Sequence, residues 1–346
     1  MKACNLVDGN WGHSAHATGV CVDPASGDPV AEFVDASQAD ARDSVQAARA
    51  AFEKSGWPHK PRLRAEVLLT FANNLEQRAP EVAEWIVKTS GKLAGSAAHE
   101  VAASVSELRY YAGLARNLWG RVAELDQDCY SMIVREPIGV VAIIVPWNAP
   151  ATLLIRSLGP VLASGCTAVI KSAHQTSVVN QMVLECLTSV RGLPKGVVNT
   201  LTESGAEVGK AWCSDPEVDA ISFTGSSATG KRIAAATAGT LKRLSLELGG
   251  KAPAIVLEDC DVERAVPQIA SGAMALSGQM CTAIARVLIH ESRFEQVCQQ
   301  LASHLSGMRI GPGADQATQL GPLIDVANRD RVLSLVESGD TIGRFH

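Results

Sequence analysis

The stretch IGVVAIIVPWNAPATLLI, residues 138–155, decides the fold. It carries no charge and is long enough to span a bilayer, so its reading separates a membrane span from a buried strand and loop. Pro146, Asn148 and Pro150 favour the second. A proline inside a helix costs roughly 3 kcal/mol, and a side-chain amide in hydrocarbon needs a partner. Val140 to Val145 reads as a buried strand leading into a proline-bounded loop.

Downstream of that strand the pattern alternates. Further strands are expected at Thr167–Ile170, Val197–Leu201, Ala220–Phe223 and Leu241–Leu246, with helices between them, and Gly225 to Ala236 opens with the small residues of a helix entry. Strands alternating with helices are the signature of an α/β fold with a parallel sheet. The expectation is a Rossmann-like nucleotide-binding domain, although no Gly-x-Gly-x-x-Gly fingerprint is present. After Gly250 a second alternation begins: strand at Ala252–Leu257, helix at Val262–Leu276, strand at Ala285–His290 and helix at Phe294–Leu305. The domain boundary is expected at residues 247/248, giving a first domain of residues 1–247 and a second, incomplete α/β domain of residues 248–346. Upstream, the chain to about Trp119 reads as an extended lead followed by helices. Ser37 with Asp40 resembles a capping box before an apolar face of Val45, Ala48, Ala51 and Phe52. A second helical region runs from Arg62 towards Trp85, broken near Pro80, and a third from about Val101 to Leu118. Residues 121–137 read as a hairpin or a surface loop.

Composition narrows the classes. With 346 residues and 47% apolar residues the chain has material for two cores, and a net charge of −5 with dispersed Lys and Arg offers no footprint for nucleic acid. Nine cysteines, odd in number and without a Cys-x-x-Cys pair, fit a reducing cytoplasm. No apolar segment precedes Asp8, so a secretory signal is not expected. No His or Cys cluster has metal-ligand spacing, and no metal is expected.

Three runs carry chemistry. Leu246 to Lys251 reads Leu-Glu-Leu-Gly-Gly-Lys, and strand alternation there puts Leu244, Leu246 and Leu248 on one face and Glu247 on the other. Gly278 to Cys281 reads Gly-Gln-Met-Cys, and a thiol that attacks a carbonyl does so as thiolate, which calls for a helix N-terminus or a cation beside it. Cys260 and Cys298 have no such context. Asn148 lies between two prolines, a rigidity that suits a preorganised donor. Phe223-Thr224-Gly225-Ser226 and Gly230 lie where an expected strand passes into an expected helix, a context in which glycine lets backbone approach a phosphate.

Together these runs resemble the aldehyde dehydrogenase superfamily, from about Asn5 to about Glu337. The resemblance implies oxidation of an aldehyde to a carboxylate with NAD or NADP through a cysteine thioester, and makes the second domain a partial catalytic domain. It makes Cys281 the nucleophile, Glu247 the base that activates water, helped by partial burial, and Asn148 one half of an oxyanion hole with the Cys281 N–H. It assigns Trp147, Lys171, Thr224, Gly225, Ser226, Gly230 and Leu248 to the cofactor, with Lys171 at a strand end against the adenosine ribose. It also implies a small-molecule aldehyde as partner, a homo-oligomer, and residues 121–137 as an oligomerisation hairpin. Met280 and Thr282 flank the nucleophile and name no substrate.

The chain departs from the family pattern twice. Where the family commonly reads Lys-Pro-x-Glu, this chain reads Lys171-Ser172-Ala173-His174, so His174 removes an acceptor and an anion from the ribose site. The family's Glu-x-Phe-Gly-Pro motif and C-terminal strand have no counterpart, which leaves three readings: an active enzyme lineage, a fragment or remnant that binds nucleotide without turnover, and an acylating relative, against which Glu247 argues. The missing elements are expected to leave apolar surface and strand edges exposed, and no terminal element is expected at Thr341 to His346. For His174, either discrimination against NADP is weakened or NAD binding is merely looser. Specificity constants of wild type and His174→Glu for both cofactors separate these, an unchanged cofactor ratio excluding the first.

Overall fold

The computed structural model of the chain describes residues 1–12 and 18–339, and the expectation for Thr341 to His346 lies outside them. Contacts divide the chain into two compact units: residues 1–21, 31–83 and 98–247 form the first, and 22–30, 84–97 and 248–346 the second.

Five short strands open the chain, β1 (Lys2–Ala3), β2 (Leu6–Val7), β3 (Asn10–Trp11), β4 (Thr18–Val22) and β5 (Pro29–Val34). The sequence reading expects only an extended lead there; the two-residue strands β1 to β3 have no periodicity to read. What fastens the lead is a buried side chain: Asn5 Oδ1 accepts a bond from Thr202 N at 2.8 Å.

Four helices follow, α1 (Gln38–Lys54), α2 (Pro61–Gln77), α3 (Ala79–Ser90) and α4 (Ala94–Leu114). The Ser37/Asp40 capping box starts α1, whose Val45, Ala48 and Ala51 are buried while Phe52 is half-buried. The expected break comes at Arg78, just before Pro80, since proline fits a first helical turn. By contrast, α4 begins seven residues before the expected Val101, because its alanine-rich first turns have no apolar stripe to announce them. Strands β6 (Arg121–Asp126) and β7 (Cys129–Ile133) pair as an antiparallel hairpin.

The remaining elements of the first unit alternate: β8 (Val140–Ile144), α5 (Pro150–Ser164), β9 (Thr167–Ala173), α6 (Ser177–Thr188), β10 (Val198–Glu203), α7 (Glu207–Ser214), β11 (Ala220–Gly225), α8 (Ser227–Thr237) and β12 (Arg243–Leu248). The sheet order is β12-β11-β8-β9-β10-β2-β3, with β11, β8, β9 and β10 parallel and β2 antiparallel to β10. From β8 the chain steps outward to β9 and β10, then returns to the other side of β8 for β11. The strand order therefore reverses between β8 and β11, the position at which open α/β sheets bind ligands. Helices α1, α7 and α8 form one layer and α2, α5 and α6 another. Coverage of both faces is why Val140, Ala142 and Ile143 are fully buried and why the strand reads as an unbroken apolar run.

The loop after β8 is anchored from α4. Buried Glu100 accepts through Oε1 from Ala151 N at 2.9 Å and Thr152 N at 3.3 Å, satisfying the first donors of α5. Ser104 Oγ also lies 3.2 Å from Thr152 Oγ1.

The second unit holds β13 (Ala252–Val256), α9 (Val262–Ala273), β14 (Ile284–Ile289), α10 (Phe294–Ser306) and α11 (Val326–Gly339). Strands β13 and β14 are parallel, and the register slips at Ala252/Pro253, where proline gives up a ladder donor. One face of the pair packs on Val262, Val266, Ile269 and Val297, while Ile255, Leu257 and Leu288 are exposed.

Removing the α5 anchor gives a test. Glu100→Ala leaves the amides of Ala151 and Thr152 without their acceptor and is expected to cost about 2 kcal/mol, because bonds to a charged group are stronger than neutral ones. Urea unfolding of wild type and variant checks it, and an unchanged midpoint would remove Glu100 from this role.

Candidate active site

Most of the expected site residues lie at the carboxyl ends of the strands flanking the reversal. Pro146, Trp147 and Asn148 form the half-buried turn between β8 and α5, and Asn148 Oδ1 is itself buried. On the other side of the reversal, Thr224 and Gly225 are the last residues of β11, and Ser226 caps α8 by accepting from Thr229 N at 3.2 Å. Gly225 leaves room for the neighbouring ring: an added Cβ would come within 2.5 Å of Phe223 Cζ, so a side chain there would have to displace it. The first amides of α8 therefore open beside the β8 loop with Gly230 buried one turn on, a helix N-terminus suited to an anion.

Lys171 is corrected from a strand end to a strand interior. Strand β9 runs to Ala173, and β10 to Glu203 rather than Leu201, since both continue in parallel register (Lys171 opposite Leu201, Ala173 opposite Glu203). The polar residues Ser172, Thr200 and Thr202 are buried in that pairing, which hid both strand ends from a reading by hydrophobicity. Nζ of Lys171 lies 3.8 Å from Glu203 Oε2 and donates to the Glu203 carbonyl at 3.4 Å. Burial pushes the Lys171 ammonium down from its ordinary pKa, and the Glu203 and Asp35 carboxylates pull it back up. His174 follows in a single 3₁₀ turn, its ring 5.7 Å from that of Phe33 and its carbonyl 3.1 Å from Cys21 Sγ. Neither Glu203 nor Asp35 stands in a motif; only the parallel register brings the first to Lys171, and a backbone bridge between Asp35 and Thr202 brings the second.

Glu247 is the penultimate residue of β12. Arg243 N bonds to Asp219 O at 3.1 Å, which joins the starts of β12 and β11 and sends both strands the same way. The expected alternation holds: Leu244, Leu246 and Leu248 are half-buried and Glu247 is exposed. Its partial burial, expected for a base, is therefore not found.

In the second unit the two glycine-containing runs meet. The first β13–β14 pair, Ala252 with Ile284, sets Gly249 and Gly250 alongside Cys281 and Thr282, and a Cβ at Gly250 would lie 3.6 Å from the Cys281 carbonyl oxygen. Arg286 Nε bonds to Lys251 O at 3.1 Å across the same junction. Cys281 is exposed and lies just before a strand, so of the two environments expected to activate it, a helix N-terminus or a cation, the first is not the one that it occupies. Instead it follows a left-handed turn: Leu276 has φ 51°, Ser277 φ 58° and Gly278 φ 75°. That turn is pinned by Ser277 Oγ to Gly321 O at 2.9 Å and by Ile324 N to Gln279 Oε1 at 2.9 Å. Met280 and Thr282, on either side of the cysteine, are exposed. Cys260 packs on the second unit's core, and Cys298 is half-buried in α10.

Among the described residues no group of His, Cys, Asp and Glu is placed to hold a metal ion, and no helix is long and apolar enough to cross a membrane.

Comparison with known proteins gives one answer. The sequence profile of the Aldehyde dehydrogenase family matches residues 11–344. Aldehyde dehydrogenase 1 of Tanacetum cinerariifolium is 37% identical over 325 residues, 93% of this chain and 65% of that protein. Phenylacetaldehyde dehydrogenase of Pseudomonas fluorescens is 35% identical over 343 residues, 96% of this chain and 68% of that protein. NADP/NAD-dependent aldehyde dehydrogenase PuuC of Escherichia coli is 36% identical over 328 residues, 94% and 66%. The NAD+ complex of aldehyde dehydrogenase from Bacillus cereus superposes with a TM-score of 0.95 at 33% identity, covering 99% of this chain and 70% of that one. Betaine aldehyde dehydrogenase from Staphylococcus aureus with NAD+ gives 0.96 at 31%, covering 99% and 69%. The chain thus spans about two thirds of the length of its relatives. With its parallel sheet, its strand-order reversal and its paired glycine runs, this chain belongs to the aldehyde dehydrogenase family, whose members among its relatives and structural neighbours are NAD(P)-dependent oxidoreductases.

Proposed function

We propose that the chain carries the aldehyde-oxidising chemistry of its family: aldehyde, NAD(P)+ and water give carboxylic acid, NAD(P)H and a proton. The observation that carries the reading is the approach of Gly250 to the Cys281 carbonyl, which joins the run after Glu247 to the run ending in the thiol. In this reading residues 1–247 form the cofactor domain and residues 248–346 part of the catalytic domain.

The sheet edge fits a dinucleotide on its own observations, namely the reversal between β8 and β11, the α8 N-terminus and a glycine at 225 where an added Cβ would meet the Phe223 ring. Trp147, Lys171, His174, Thr224, Gly225, Ser226, Gly230 and Leu248 would hold it. When bound, the nicotinamide supplies the hydride acceptor. The chain's own residues do the rest. Cys281 thiolate bonds to the carbonyl carbon, and the oxygen that becomes negative takes hydrogen bonds from the Asn148 amide and the Cys281 N–H. Loss of hydride from that carbon leaves a thioester on Cys281. Glu247 takes a proton from water, the hydroxide adds to the thioester, and the C–S bond breaks to return the thiolate. Preorganised donors of this kind contribute on the order of 100- to 1000-fold in rate.

We place the chain in the cytoplasm as a homo-oligomer acting on a small aldehyde. Its subunit contact is assigned to the β6–β7 hairpin, which exposes Val122, Leu125, Tyr130 and Met132, a clustering of large apolar side chains typical of an interaction surface.

Production of reduced nicotinamide by the folded chain, with an aldehyde panel and both cofactors, tests the reading. Turnover is expected in the wild type and lost in Cys281→Ala, while Glu247→Gln should release one equivalent of reduced cofactor and then stall. Unimpaired turnover in Glu247→Gln would mean that the acyl group goes to an acceptor other than water. No signal from a folded wild-type chain would overturn the proposal.

A further inference from the structure

Glu203 is 4% exposed and closes β10 in register with Ala173, one strand from the end of β9. Its two oxygens do different things. Oε1 accepts from Glu207 N and from Val208 N at 3.0 Å, the first turn of α7. Oε2 is buried without a hydrogen-bond partner, 3.8 Å from Lys171 Nζ. A second carboxylate stands next to it in the chain's folded path: Asp35 accepts from Ser204 N at 2.9 Å and from Ser204 Oγ at 2.5 Å, which holds it beside the residue after Glu203. Both carboxylates act electrostatically on the Lys171 ammonium. Gly209 of α7 lies over the stem of the same lysine, 4.0 Å from its Cδ to the position of an added Cβ.

An isolated half-buried ammonium at a ribose site would be a phosphate anchor. Two carboxylates against one ammonium reverse the sign, and Glu203 does so from a buried position where solvent screens poorly. Resting on the dinucleotide reading of Lys171 given above, we propose that Glu203, assisted by Asp35, makes this chain select NAD over NADP. Its carboxylate supplies the negative charge that His174 removes from the family pattern and repels the 2′-phosphate, a group that carries about −1.5 to −2 at neutral pH. The lone pairs left on Oε2 accept a bond from a hydroxyl and find no donor in a phosphate dianion. The anion has moved from the turn after β9 to the end of β10, across one strand.

Isothermal titration of the whole chain with NAD+ and with NADP+ tests this apart from turnover. Wild type is expected to bind NAD+ at least about tenfold more tightly, and Glu203→Gln, which keeps the Oε1 acceptor for α7, to shrink that ratio about tenfold. Asp35→Asn should shrink it less, and added salt should leave most of the wild-type discrimination in place, because a buried charge is screened little. Thermal unfolding reports whether each variant is folded; should Glu203→Gln fail to fold, Asp35→Asn decides. A wild-type ratio near one, or folded variants that keep the wild-type ratio, would overturn the proposal while leaving the dinucleotide site in place. Binding of neither nucleotide by the wild type would overturn the site itself and this inference with it.

Discussion

The pairing of β8 with β9 on one side and β11 on the other is the constraint on which the first unit depends. Both pairings are parallel, so each neighbouring strand needs its own crossover helix, and the chain can leave β8 on one side and return on the other only by crossing the sheet. The reversal this creates puts the loops after β8 and β11 side by side at one edge, with helix N-termini behind them. Opposite that edge, the strand starts are fixed by charge: Asp219 Oδ2 accepts from Val140 N at 2.7 Å and from Arg49 Nη2 at 2.5 Å, tying β8, β11 and α1 together. Gly139, with φ 127°, makes room for that carboxylate, since an added Cβ would fall 1.9 Å from Asp219 Oδ2.

Buried carboxylates recur in this unit as helix anchors rather than as surface charges. Glu100 takes the first amides of α5 and Glu203 those of α7, each from a neighbouring element rather than from the residue before the helix. Such a carboxylate offsets its desolvation with charge-assisted bonds and with the positive end of the helix. Glu100 offers Oε1 to two amides of one helix start, whereas Glu203 divides its oxygens and turns one towards Lys171. The same device that closes a helix end therefore leaves a charge at the sheet edge.

Much of this fold can be read from sequence because burial on both faces turns each central strand into an apolar run. Val140 to Ile144 and Ala220 to Phe223 are found in the strands expected, and the capping box at Ser37 starts α1. What escaped reading is what hydrophobicity does not mark. The two-residue strands β1 to β3 depend on long-range partners such as Asn5 with Thr202, and Ser172, Thr202 and Glu203 near the ends of β9 and β10 are polar yet buried in their ladder. At the candidate site the sequence offers the motifs around Asn148, Gly225, Glu247 and Cys281, while Glu203, Asp35 and Glu100 enter only through registers and caps that no local pattern encodes. The exposure of Cys281 and Glu247 was equally illegible, since burial belongs to the folded chain and not to the motif.

The turn before Cys281 shows how the second unit positions a side chain without a helix. Leu276 and Ser277 both take left-handed backbone, a conformation that costs of order 1–3 kcal/mol for each residue with a side chain. Local bonds support it: Ser277 N to Met274 O, Gln279 N to Leu276 O and Gln279 Nε2 to Leu276 O are ordinary turn bonds of about 1 kcal/mol each. Residues 321–324 add two more, through Ser277 Oγ to Gly321 O and Ile324 N to Gln279 Oε1. That segment is held in turn, because Gly321 packs on the Gly91 carbonyl and Ala94 N bonds to Gly313 O at 3.0 Å. The backbone that presents Cys281 is therefore fixed by chain from residues 91–94 and 313–324, so a substitution at Gly321, remote in sequence from the thiol, acts on the thiol's position directly.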